Sequence, residues 1–105
     1  MSKYRDRLNK EVECADGFKM SVQANQRAYC SPRMDDALSY EEVEVGFPTE
    51  REPLLMEYCE DPHDPTGTVY AWVPAQVVTN VIAKHGGIVT GEVPPGIPVL
   101  KASRR

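Results

Sequence analysis

Between Gly17 and Arg33 the chain reads GFKMSVQANQRAYCSPR, and its last eleven residues gather Gln23, Asn25, Arg27, Tyr29, Cys30, Ser31 and Arg33. These side chains suit recognition better than bond breaking. Amides and hydroxyls read the polar edge of a small molecule, an aromatic ring stacks on its plane, and guanidinium groups hold its anionic part. A plainer description also fits: an exposed strand face running into a Ser-Pro turn. Cys30 is the candidate nucleophile of the segment, because a cation such as Arg33 can lower a neighbouring thiol's pKa. The pattern pairs no base with it.

Elsewhere the chemistry is thinner. The chain contains no Walker loop, GxGxxG, HExxH, GxSxG or zinc-deaminase pattern. Cys14, Cys30 and Cys59 are odd in number and lack metal-like spacing, so reduced thiols are expected. The acidic run Glu60-Asp61-Pro62-His63-Asp64 lacks the ligand order of an EF-hand. His85 closes a helical pattern, where a protonated imidazole is favoured by the carbonyl end of the dipole. The inventory yields a binding protein without cofactor, metal or catalytic residues. Tyr70 and Trp72 join the ligand-binding candidates Gln23, Asn25, Arg27, Tyr29, Ser31 and Arg33 on one condition. If Val69, Ala71 and Val73 supply the inward face of their strand, the two aromatics form an exposed stacking platform. Both faces are apolar enough that alternation leaves the choice open.

The elements that must position these groups follow from periodicity. Phe18, Met20, Val22 and Ala24 share one side of a pleat, with Lys19, Ser21, Gln23 and Asn25 on the other. Asp16-Gly17 marks a hairpin between that strand and a first strand over 11–15. A third strand is expected over 42–47, with Val43, Val45 and Phe47 inward, Gly46 as a bulge or close approach, and Pro48 ending it. LLMEYC at 54–59 fits a short strand better than a helical turn. TVYAWV at 68–73 is a strong strand, followed by a helix over 74–85 whose apolar stripe is Val77, Val78, Val81 and Ile82. Gly86-Gly87 stops it, and 88–93 can add an edge strand. The expected fold is therefore α+β: a small, mostly antiparallel sheet of four to five strands with one helix packed on it. Residues 11–93 form the single domain, 1–10 a flexible or docking segment, and 94–105 an extended tail. One helix covers only part of such a sheet, so self-association into a homo-oligomer is expected.

At 105 residues, 41% hydrophobic and 27% charged, the chain has the composition of a soluble globular domain. A formal net charge of −4 argues against duplex nucleic acid, which needs a basic footprint. No apolar run approaches membrane-spanning length, so no membrane partner is expected.

The succession GFKMSVQA, YCSPR, YEEVEVGFP, PTGTVYAWVP and VIAKHGGI resembles short accessory proteins of bacteriophages and prophages, over roughly residues 12–88. The resemblance implies expression in the cytoplasm of a bacterial host cell and an anti-defence role. It carries no catalytic residues with it. Two mechanisms fit. One is a sponge that sequesters a small anionic, nucleotide-like signalling molecule. The other is an acidic inhibitor that covers a basic site on a host protein, with Glu41, Glu42, Glu44 and the 57–64 segment as its surface.

Overall fold

The computed structural model describes residues 8–103. Their fold is α+β, a five-stranded antiparallel sheet in the order β4-β3-β2-β1-β5 with one helix packed on it. Apart from Leu8, Asn9 and Lys10, the expected N-terminal segment 1–10 lies outside the described residues.

Strands β1 (Val12–Cys14) and β2 (Lys19–Gln23) form the hairpin that Asp16-Gly17 predicts. Gly17 takes φ 94°, a conformation open to glycine, and Asp16 Oδ1 accepts the Phe18 N–H at 3.0 Å. Strand β3 (Glu42–Gly46) lies beside β2 with Val22 opposite Val45 and Gln23 opposite Glu44. On the other side of β3 runs β4 (Val69–Pro74). Phe18, Met20, Val22, Val43 and Val45 all point into the core, as the alternation requires. Helix α1 (Ala75–Lys84) buries Val78, Val81 and Ile82, and Val77 packs at the margin of the core. Pro74, expected as the first helical residue, is instead the cap that precedes it, with ψ 142°. Gly86 and Gly87, at φ 95° and 92°, turn the chain into β5 (Ile88–Thr90), shorter than the expected 88–93.

Three local expectations are corrected. The segment 54–59 is not a strand: Pro53–Tyr58 is a 3-10 helix, because Pro53 presets the first turn and the Glu52 carboxylate caps the Leu54 N–H at 2.9 Å. Phe47 does not enter the core. It sits at φ 53° just past the end of β3, which rotates its ring outward to 52% exposure, and Pro48 is buried instead. The bulge lies not at Gly46 but in β4. Between the pairs Val43↔Val73 and Val45↔Tyr70, β3 contributes one residue and β4 contributes two, Ala71 and Trp72.

The tail is tied to the sheet. Ile88 N–H donates to Leu100 O at 2.7 Å and Ala102 N–H to Ile88 O at 3.0 Å, while Ile97 is buried in the core. No helix among the described residues is long and apolar enough to cross a membrane.

Candidate functional site

The bulge in β4 decides where the two doubtful aromatics go. An extra residue between Tyr70 and Val73 lets both of them face the core, so strict alternation fails across this stretch. Tyr70 is fully buried and its hydroxyl donates to Pro65 O at 2.6 Å. It is therefore not part of a ligand surface, which corrects its place among the candidates. Trp72 goes the other way. It is 46% exposed, and its backbone stands in the left-handed region at φ 48°. For a bulky side chain that conformation costs about 1–3 kcal/mol, and it persists because the surroundings hold it. Trp72 N–H donates to Tyr29 O at 3.1 Å, and the two rings lie 5.2 Å apart with their planes tilted by 37°.

Tyr29 belongs to a loop thrown out from the sheet. Gln23 pairs with Glu44 and Ser31 with Glu42, so β3 has one residue between the two contacts where the facing chain has seven. Within this excursion the burial alternates. Ala28 and Cys30 point back into the core, and Arg27 and Tyr29 point out. The Glu44 carboxylate, on the face opposite Val43 and Val45, accepts the Tyr29 N–H at 2.9 Å and pins the loop over the sheet. Arg33 folds back under it. Its Nε donates to Gln26 O at 3.1 Å, and its guanidinium carbon lies 5.6 Å from the centre of the Tyr29 ring.

Glu44, which holds the Tyr29 N–H of this cluster, also lines a concavity of about 390 Å³ together with Leu8, Ser21, Gln23, Asn25, Arg27, Ala28 and Phe47. Gln23 is firmly placed: its Oε1 accepts Asn9 N–H at 2.8 Å and its Nε2 donates to Asn9 O at 2.9 Å. Asn25 Oδ1 accepts the Arg27 N–H at 2.8 Å. A smaller cavity of about 140 Å³ lies on the other flank of Gln23 and Asn25, against Asp35, Asp36 and Tyr40.

The structure thus divides the candidates. Gln23, Asn25 and Arg27 share the concavity, Tyr29, Arg33 and Trp72 form a cluster outside its lining, tied to it by the Tyr29 N–H on Glu44, and Tyr70 is core. Ser31 lines neither cavity; its N–H donates to Glu42 O at 3.0 Å and its carbonyl accepts Glu41 N–H at 2.8 Å. Its backbone is the hinge that returns the loop to the sheet. No family model, curated protein or solved structure matches the chain.

Ser21, Glu44 and Phe47 also line the concavity, although the sequence placed none of them among the ligand-binding candidates. Ser21 and Glu44 sit on the polar side of their strands as the alternation says, but only the β2–β3 register brings them to one cavity.

Cys30 is not an activated thiol. Burial pushes its pKa up, and the Arg33 charge does not offset this. Cys14 is pushed up to about 11, by burial first and then by the Asp16 and Glu13 carboxylates. Both are therefore expected to resist iodoacetamide at neutral pH in the folded protein and to react only on unfolding. Rapid labelling of Cys30 in the native state would restore it as a nucleophile.

A second polar cluster lies apart from this face. His85 stands at the helix end as its position predicts, but its ring is buried and engaged at both nitrogens. Nδ1 lies 2.6 Å from Asp16 Oδ2 and Nε2 lies 2.7 Å from Glu52 Oε1, while Lys84 Nζ donates to Glu52 Oε2 at 2.8 Å. Phe18 stacks on the imidazole at 4.0 Å. Two carboxylates that only accept require protons on both ring nitrogens, so this is an imidazolium. With neither nitrogen free, the ring has no means to act as a general base on a substrate.

Proposed function

We propose that this protein is a non-catalytic binder of a small anionic, nucleotide-like molecule, held on the face made by β2, the 24–31 loop and the β4 bulge. The observation that carries this reading is Trp72. A strained backbone keeps a large apolar ring out in solvent beside Tyr29 and Arg33. Burial would have been the cheaper fate for an indole, and strain of this kind gathers at functional positions. A planar ligand ring can stack on the Trp72–Tyr29 surface, and Arg33 and Arg27 stand on the adjoining loop for a phosphate. Against the background of the phage-protein resemblance, the role is sequestration: the bound signal is withheld from a host defence system. A second copy of the chain on the open sheet face would deepen the site.

Trp72 is the single tryptophan of the chain, so its fluorescence reports on the site directly. Titration with mononucleotides and cyclic dinucleotides is expected to change that emission. An unresponsive indole across the panel would end the reading. Arg33→Ala should weaken binding by about tenfold or more without unfolding the domain, since a charge-assisted contact of about 1.5–3 kcal/mol is lost. Trp72→Gly should abolish retention by calorimetry while the unfolding midpoint stays level or rises, because glycine takes the left-handed conformation freely.

A second reading, an acidic inhibitor of a basic host protein, draws on the ion pairs. The pairs among the described residues all belong to the His85 cluster, so Glu41, Glu42, Glu57, Glu60, Asp61 and Asp64 have no cationic partner there. Association by that surface should weaken steeply with salt and should not require Arg33 or Trp72.

A further inference from the structure

We infer that the concavity selects a guanine-type base, with Glu44 as the residue that reads its hydrogen-bonding edge; this rests on the nucleotide-binding reading above. Glu44 faces the cavity from the middle of β3, half-buried, and its position is set by the Tyr29 N–H on Oε1. That contact uses a fraction of what a carboxylate can accept, which is about four lone-pair directions over two oxygens. No cation pairs with Glu44 among the described residues, although Arg27 lines the same cavity. The site therefore holds a carboxylate and a guanidinium that do not neutralise one another.

Those separated charges constrain the occupant. A phosphate cannot sit against Glu44, and a wholly cationic ligand is repelled by Arg27. What fits is a neutral edge rich in N–H donors, attached to an anion. Guanine offers two adjacent donors, N1–H and the 2-amino group, which match the two oxygens of a carboxylate. Adenine turns the N1 lone pair toward the same oxygens, and its acceptor meets an acceptor. Cytosine repeats the conflict at N3, and uracil has one N–H between two carbonyls. Phe47 holds its exposed ring at φ 53°, a second strained aromatic that offers a flat apolar surface beside Glu44. A volume of about 390 Å³ is in the ordinary range for a small-ligand cleft.

The test is calorimetry with GMP, IMP and AMP, and with cyclic di-GMP against cyclic di-AMP, on the wild type and on Glu44→Gln. Guanine ligands are expected to bind at least about tenfold tighter than their adenine counterparts, because adenine sets an acceptor against the carboxylate and leaves it unsatisfied. IMP, which keeps N1–H and lacks the 2-amino group, should fall between them. Glu44→Gln should bring GMP within about threefold of AMP, with an unchanged unfolding midpoint, since the glutamine oxygen still accepts the Tyr29 N–H. Equal affinity for GMP and AMP overturns the base assignment and leaves nucleotide binding standing. Failure of every nucleotide to bind overturns both. Binding of free L-arginine that is lost in Glu44→Gln gives the carboxylate to a cation and also overturns the assignment.

Discussion

Glu52→Ala is expected to be the most damaging replacement in this chain, lowering the free energy of unfolding by about 3–5 kcal/mol. The Glu52 side chain is 1% exposed and takes part in three contacts at once: Leu54 N–H, Lys84 Nζ and His85 Nε2. Removing it uncaps the 3-10 helix and leaves a buried imidazolium with one carboxylate where it had two. The loss is large because the charge left behind is out of water, not because the pair itself is worth that much. Lys84→Ala touches the same carboxylate from the solvent side, with the lysine side chain 45% exposed, and should cost about 1 kcal/mol or less. Urea denaturation of the two variants separates these cases. Equal, small effects would mean that the cluster relaxes on losing a partner, and that the imidazolium is not locked in place.

The second large effect is on pH. Burial is the strongest influence on His85 and disfavours its charge, yet the hydrogen bonds to Asp16 and Glu52 outweigh it and hold the pKa above the ordinary imidazole value of 6.5. The folded state therefore binds this proton more tightly than the unfolded chain. Its stabilising contribution is complete below about pH 6.5 and is lost as the pH rises through the folded-state value. The carboxylates work in the opposite sense. Glu52 is held below its usual range because the hydrogen bonds from Lys84, Leu54 and His85 overcome its burial. Asp16 is held low by the Phe18 N–H first and His85 second. Their contribution is present above the ordinary carboxylate range and fades as the pH falls through their folded-state values. Unfolding midpoints are thus expected to be highest between about pH 5 and 6.5 and to decline toward pH 9. His85→Gln should be less stable throughout and should lack the alkaline decline. A wild-type midpoint that climbs from pH 6 to pH 9 would show the ring to be neutral in the fold.

Both effects act away from the proposed ligand face, and the division of labour has a physical basis. The imidazolium cluster joins the β1–β2 turn, the residue before the 3-10 helix and the end of α1, three points far apart in sequence. A scaffold tied in this way can carry strain elsewhere, at Phe47 and Trp72, without losing its single packing arrangement. Stabilising the fold and loosening the site are therefore separable by mutation, which is what Trp72→Gly and Glu52→Ala test from opposite sides.

Much of the fold was legible in the chain because its signals are local. Val12 and Cys14, Met20 and Val22, Val43 and Val45 alternate with polar neighbours, and a pleat of period two admits one inward face. Asp16-Gly17 specifies the hairpin, and the stripe of α1 with its double-glycine stop specifies the helix. Where an added residue or a positive φ intervened, the pattern failed. Alternation had no means to place Tyr70 and Trp72, since the bulge puts Tyr70 and Val73 inward with two residues between them. Phe47 looked like the next inward residue of its strand, but the left-handed step after Gly46 turned it out. The strand expected over 54–59 rested on its apolar residue types, but in the 3-10 helix Leu55 alone is fully buried.

Taken alone, the sequence determined the fold class, the strand faces, the helix and the loop whose polar residues make recognition plausible, because each depends on neighbours within a few positions. The tertiary structure decided which of those residues meet. Register set Glu44 against Gln23, a seven-residue excursion carried Tyr29 to Trp72, and packing closed Asp16 and Glu52 around His85. Contacts across so many residues depend on how whole elements dock, and side-chain type at any single position does not encode that geometry.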